Sequence, residues 1–377
     1  VIGTATGPVN ILRNTVGGTA TQGIVALNIN GDLTVANNLV GFTVGTPVTV
    51  TVPILGDITV PTGQGIVIGG VNGTATVSSN DVGNTNGQGI AIAGVQGTAN
   101  ITDNRIQTVT DQGLVVAGTS GTLNIANNQI LNVTSRNFII PNPLFPLFGG
   151  LTFDVPTGQG ILLIGTFGTA SITGNTIEQV DGAFSTTPPI PASGQGIALA
   201  SFTGNLDLTI ADNQIRSNFN DAILIGLLGD ATGNLTIRNN TLENNGGATP
   251  IRGDGIGIGL DQDAVINNLL IEGNTIQGNG DDGIDIRLGS QSVPVTSPSN
   301  AQISGTIRNN TISTPALTVT SGQTGIQVEA QSFTQANVTI ESNTINIANV
   351  GFSGINLQTR SVTNLFGAVT PDPANPR

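Results

Sequence analysis

Between Gly63 and Thr134 small aliphatic residues fall on every second position in short runs, and Gly, Asn or Asp breaks each run. GIAIA (from Gly89), TANIT (from Thr98) and RIQTV (from Arg105) show the pattern once. A period of two predicts strands, and no segment carries the 3.6-residue period of a helix. The same three runs return every 24 residues wherever nothing interrupts them. An aliphatic residue follows the turn glycine or its equivalent at Ile24, Ile66, Ile90, Leu114, Ile161, Ile197, Ile223, Ile256, Ile284, Ile326 and Ile355.

One copy has a single apolar face and cannot bury it alone, so copies must stack. Three strands per copy predict an all-β coil with three parallel sheets around an aliphatic centre. About eleven rungs at the strand spacing make a rod roughly 50 Å tall. A second phrase, Ile-x-x-Asn-x-Ile, sets Asn14, Asn38, Asn80, Asn104, Asn128, Asn175, Asn213, Asn240, Asn274, Asn310 and Asn343 in line. Asn tolerates a left-handed bend, and stacked amides can hydrogen-bond from rung to rung. Both roles are expected of this column.

These two phrases resemble the right-handed parallel β-helix, or pectin-lyase-like, superfamily over nearly the whole chain. The resemblance implies a right-handed, single-stranded β-helix; it implies little about function, since that fold carries lyases, hydrolases, tailspikes and adhesins. Loop insertions fall mainly in the turn before the Gly-Ile-x-Ile strand, at 41–63, 131–158, 178–194, 243–253 and 313–322, with another after the strand at 290–302. One domain is expected over 1–366, followed by a Pro-rich tail, 367–377.

Composition narrows the chemistry. The chain has no Cys, Met, Trp, Tyr or His, and all ten basic residues are Arg. Zinc sites built on Cys and His, serine nucleophiles with a His partner and lysine phosphate loops are excluded. A net charge of −13 argues against nucleic acid. No apolar run is long enough to span a bilayer as a helix. A chain without easily oxidised residues or Lys suits an exposed, durable setting, and an extracellular or bacterial cell-surface location is expected.

A second column precedes each Gly-Ile-x-Ile strand: Gln at 22, 64, 88, 112, 159 and 195, then Asp221, Asp254 and Asp282, then Thr324 and Ser353. The Gln side chains read as an amide ladder. Stacked carboxylates repel, so splaying into solvent, a shared proton or a bound cation must answer them. Splaying is the simplest expectation. Ca²⁺ at Asp254 and Asp282 is the metal alternative, with Asp281, Asp285, Asp261 and Asp263 adding acidity and Arg252 and Arg287 balancing it. Asp254 in GDG and the pair in GDDGI also resemble the aspartate motifs of polygalacturonases. That resemblance implies that Asp254, Asp281 and Asp282 supply the acid and base of an inverting glycoside hydrolase. The Gly-His-Gly and Arg-x-Lys expected after them are missing: the next rung reads GQTGIQV.

Alternation also places Val25, Leu27, Val67, Val115, Leu162, Ile164 and Leu224 on the outer side of the Gly-Ile-x-Ile face. A strip of that kind on a soluble protein marks an interaction surface. Either the chain covers it, with Phe138, Phe145 and Phe148 of the longest insertion as a lid, or a second copy does. No helix caps the first coil, and bare strand edges also invite stacking. The sequence thus reads as a non-enzymatic adhesin, passenger or fibre-forming surface rod that self-associates without a required cofactor. The alternative is a polysaccharide-acting hydrolase or lyase, or a glycan-binding tailspike-like protein, using the acidic patch near Asp254 and Asp282.

Overall fold

The computed structural model describes residues 1–44, 48–52, 56–60, 63–135, 140–141, 154–155, 158–165, 168–182, 193–201, 203–246, 253–289, 299–314, 324–331, 333–347 and 353–360. Three parallel sheets, one of 12 strands and two of 11, contain nearly every strand, and no helix occurs among the described residues. The chain visits the sheets in rotation, so each sheet holds every third main strand in sequence order. It is a parallel β-helix with three faces. Two antiparallel hairpins stand apart: Val48–Val52 with Gly56–Val60, and Ile140–Pro141 with Asp154–Val155.

Register follows the repeat. On the first face Ile66 pairs with Ile24 and Ile90, Leu114 with Ile90 and Ile161, and the column continues through Ile284 and Ile326 to Ile355. Their side chains point inward and meet those of the other two faces, such as Ile101, Ile106, Ile125 and Ile130, in one continuous aliphatic core. Each rung lends the next its apolar floor, which is why a copy that could not fold alone is stable in the stack.

Between the second and third faces the Asn column forms an unbroken amide ladder. Asn104 Nδ2 donates to Asn128 Oδ1 at 3.0 Å and to the Val77 carbonyl at 2.8 Å, while its own Oδ1 accepts from Asn80. The same link runs from Asn14 to Asn343. The left-handed bend, though, belongs to the residue before each ladder Asn: Asn37, Ser79, Asp103, Asn127 and Asn239 have φ of 53–57°. The expectation that one Asn serves both purposes is corrected. A ladder amide must face inward, so the turn falls to the neighbouring exposed residue.

Where the third face turns into the first, the chain comes closest to itself. A Cβ added at Gly89 would lie 2.6 Å from the Gly113 carbonyl oxygen and 2.4 Å from Ile106 Cγ2. That is why the repeat keeps a glycine before nearly every first-face strand, and the Gln and Asp column lies beside it.

Candidate functional site

The turn entering the first face changes its chemistry along the rod. In the upper rungs it carries Gln, with Gln112 Nε2 donating to Gln159 Oε1 at 3.3 Å and Gln159 to Gln195 at 3.4 Å. Below them come the carboxylates. Asp221 Oδ1 accepts the Asp254 amide at 2.7 Å, Asp254 Oδ1 accepts the Asp282 amide at 3.0 Å, and Asp282 Oδ1 accepts the Thr324 amide at 2.5 Å. The side chains do not splay into solvent. They stay beside the backbone because each takes an N–H that the tight turn would otherwise leave unpaired.

Asp285 joins them from the outer side of the next first-face strand, Ile284–Leu288. Carboxylate oxygens of Asp254, Asp282 and Asp285 all lie within 4.8 Å of one another. Asp282 is 2% exposed and Asp285 4%. Arg287 Nε stands 2.6 Å from Asp285 Oδ2, an ion pair without the alignment of a hydrogen bond, and Gln327 Nε2 donates to Asp285 Oδ1 at 3.3 Å.

Burial is the first cause of every carboxylate shift here. It pushes Asp282 up to about 7, helped by the charges of Asp281 and Asp285 and opposed by the Thr324 amide and Arg287. Asp221 also rises to about 7, burial again outweighing the Asp254 amide. Asp254 is raised well above the ordinary carboxylate value, by burial and then by the charges of Asp221, Asp285 and Asp282. Asp285 reaches only about 6, because Arg287 and Gln327 hold its ionised form. Burial pulls against the Arg287 guanidinium, but Asp285, Asp254 and Asp282 outweigh it and its pKa is raised. Desolvated acids of unequal pKa beside a cation are an arrangement found at catalytic sites.

The floor beside the cluster is glycine. Gly257 pairs with Asp285 across the first face and Gly259 with Arg287. A Cβ built on Gly257 would stand 3.6 Å from Asp254 Oδ2, and one on Gly259 would meet nothing within 4 Å. Gly259 leaves open space over the strand beside Arg287, whereas at Gly257 the Leu224 side chain already stands 3.2 Å from where a Cβ would lie.

Of the residues singled out in the sequence, Asp254 and Asp282 lie in this cluster. Asp281 is half-buried on the same turn but outside the three. Asp261 and Asp263 sit beyond the far end of the strand Ile256–Leu260, where Asp263 accepts from Asn300 Nδ2. Arg252, Phe138, Phe145 and Phe148 lie outside the described residues. Asp285 is the member that motif reasoning did not select. Its signal was the alternation itself, since on eight successive rungs above it the outward position is aliphatic or Gly.

The apolar outer strip is not the uniform wet surface that alternation predicts. In its middle Ala117, Leu162, Ile164 and Ala198 form a second cluster, joined by Ala93 and Val115, with Leu162 only 6% exposed. Val25 is buried, Val67 and Leu224 are half-buried, and Leu27 is exposed at 37%. Neighbouring rungs cover one another there, because stacked large side chains shield those above and below.

Comparison with known proteins agrees with the fold. A family model described as right handed beta helix region matches residues 148–297. The structure is similar to a double mutant of a periplasmic alginate epimerase, at 11% identity and a TM-score of 0.46, covering 94% of this chain and 69% of that one. It is also similar to the Dettilon tailspike protein, at 16% identity and a TM-score of 0.38, covering 89% and 63%. No curated protein sequence matches the chain. The family model and the three parallel sheets agree on a right-handed parallel β-helix with three strands per coil.

The expectation of a non-enzymatic rod is corrected. In the chain itself, the carboxylates that a passive rod would leave splayed are gathered and desolvated. The inverting geometry implied by the aspartate motifs is corrected too. Inverting pairs stand about 6.5–9.5 Å apart to admit a water, whereas Asp254 and Asp282 of those motifs present oxygens within 4.8 Å of each other.

Proposed function

We propose, taking the chain as a member of the right-handed parallel β-helix superfamily, that it cleaves a polysaccharide outside the cytoplasm at the Asp254, Asp282 and Asp285 cluster. The observation that carries this reading is the trio of carboxylate oxygens within 4.8 Å beside the glycine floor.

The roles follow from the environments. Asp254, whose carboxyl burial and the neighbouring carboxylates push well above its ordinary range, is the acid for the glycosidic oxygen. It is also the least buried of the three, and its Oδ2 lies over the floor at Gly257. Asp285, paired with Arg287, is ionised and faces the anomeric carbon as nucleophile. Asp254 protonates the departing oxygen as that bond breaks, and Asp285 bonds to the sugar. A water deprotonated by Asp254 then releases the sugar with its configuration retained. Asp282 holds the turn and sets the local charge. Acid–base assistance of this kind contributes about 10²–10⁴-fold.

Calcium is the second reading, favoured by the same short separations, since Ca²⁺ binds carboxylate oxygens at about 2.3–2.6 Å. Asp254, Asp282 and Asp285 would hold it, and it would supply charge neutralisation. The Asp285–Arg287 pair opposes it, because the site already holds a cation of its own.

Reducing-end release from a panel of neutral and uronate polysaccharides tests the activity. Wild-type protein is expected to turn over at least one, and Asp254→Asn and Asp285→Asn each to lose about 100-fold or more. No turnover by the wild type on any of them overturns the proposal.

A further inference from the structure

We infer that a groove on the other flank of the same turn is a second carbohydrate site, one that takes an uncharged saccharide and leaves it intact. The groove encloses about 510 Å³ at the end of the third face and is separate from the carboxylate trio.

Its polar wall is a column. Asn132, Gln179, Ser217 and Asn244 occupy successive rungs, each with φ between 54° and 57°. The strands around them are in register, Leu131 pairing with Glu178, Glu178 with Arg216, and Arg216 with Glu243. All four are exposed. Asn132 and Gln179 lie inside their strands, where a left-handed residue bulges out of the pleat, and Ser217 and Asn244 take the same conformation just past the ends of theirs. Three rung steps make a column roughly 14 Å long. The four side chains offer amide and hydroxyl groups that both donate and accept, the same capacity that sugar hydroxyls present in return.

The lining also includes Phe219, whose place is fixed. The Phe219 amide donates to the Val180 carbonyl at 2.9 Å, and the Val180 amide donates to Asn218 Oδ1 at 3.0 Å. Asn218, Asn245 and Asn279 form a second buried amide ladder beneath, with Nδ2-to-Oδ1 steps of 2.9 and 3.0 Å. A Cβ on Gly182 would be 2.2 Å from Phe219 Cδ1, and one on Gly194 2.6 Å from Phe219 Cβ. The phenyl side chain is therefore seated on glycine backbone, held before any ligand arrives. An aromatic platform beside convergent polar groups suits a pyranose, which has an apolar face and a polar rim. A wall already rigid keeps the ordering cost of binding low.

Charge selects the class. Among the described residues, the only charged one lining the groove is Asp181, an exposed carboxylate, and no Arg lines it. With a net charge of −13 on the chain, an anionic sugar is repelled both locally and at long range. A neutral oligosaccharide of three to four units fits the column.

Isothermal titration with cellotetraose, laminaritetraose and mannotetraose, and with tetragalacturonate as the anionic probe, tests this site. Wild-type protein is expected to bind at least one neutral tetrasaccharide and not the uronate. Phe219→Ala, and separately the exposed pair Gln179→Ala with Asn244→Ala, should each weaken that binding at least about tenfold. Asp254→Asn should leave it unchanged, which separates this site from the cleavage reading. If no neutral probe binds, or the uronate alone does, the inference fails. It fails equally if both groove variants bind normally, or if Asp254→Asn abolishes binding and the double groove variant does not.

Discussion

The Asp282 amide donates to Asp254 Oδ1 at 3.0 Å across one rung, as the Asp254 amide does to Asp221 at 2.7 Å. Each of these bonds favours an ionised carboxylate, and burial disfavours it more. The ladder that finishes the backbone's hydrogen bonding is thus the device that stores acidity beside the glycine floor.

Stability should fall as pH rises through neutrality. Carboxyl groups raised from 3.8 to about 7 for Asp221 and Asp282, and to about 6 for Asp285, bind protons more tightly folded than unfolded. Their contribution is fully present below the unfolded value and is lost as pH climbs through about 6 to 7. Each tenfold gain in proton affinity on folding is worth roughly 1.4 kcal/mol, so the loss between pH 5 and pH 8 amounts to several kcal/mol. Thermal melts at the two pH values should show the drop, and Asp254→Asn should shrink it. A flat profile would contradict the buried ladder.

Calcium should matter on the alkaline side only. On the calcium reading the ionised trio binds Ca²⁺ at pH 8 and the melting temperature rises, by about 1.4 kcal/mol of stability at ten times Kd. At pH 5 protons occupy the same oxygens and the effect should vanish. Calorimetric scans with Ca²⁺ and with chelator check this. Absence of any shift at pH 8 removes the calcium reading and leaves proton sharing.

The central amide ladder should be costly to break. Asn128 Nδ2 donates to Asn175 Oδ1 at 3.0 Å and to the Ile101 carbonyl at 2.9 Å, and its Oδ1 accepts from both nitrogens of Asn104 at 3.0 Å. Asn128→Ala leaves several of these buried partners unsatisfied, for a loss of at least about 3 kcal/mol in urea unfolding. Stability within about 0.5 kcal/mol of the wild type would refute the role given to the ladder.

Two glycines should behave oppositely. Gly89→Ala forces a Cβ to 2.6 Å from a carbonyl oxygen and should destabilise by about 2 kcal/mol or more. Gly259→Ala meets open space and should stay within about 0.5 kcal/mol of the wild type. Bulkier Gly259→Leu should fold yet lose most polysaccharide cleavage, because it fills the floor beside Arg287. Retained cleavage in that variant would show that substrate does not cross the floor.

Much of this architecture was written in the chain. Period-two runs, Ile at one fixed place and Asn at another specify strands, stacking and register, because a residue stacked on its own kind in every rung has no second place to go. Placement of the left-handed bend was not legible, since Asn37 and Asn38 or Asn127 and Asn128 are alike as letters. Only the direction each side chain takes separates the turn residue from the ladder residue. For the site, Asp254 and Asp282 could be read from the column, and their burial could not.

Sequence by itself determined the coil, because rung-to-rung repetition fixes the core one residue type at a time. Tertiary structure decided the chemistry. Asp285 lies on a strand rather than in the Asp column, and its approach to Asp254 depends on how a turn folds over a strand edge beside Gly257, its partner on the neighbouring rung. Phe219 and Gln179 likewise line one groove only because separate rungs stack. Desolvation and proximity between rungs are properties of the packed rod, and no single repeat contains them.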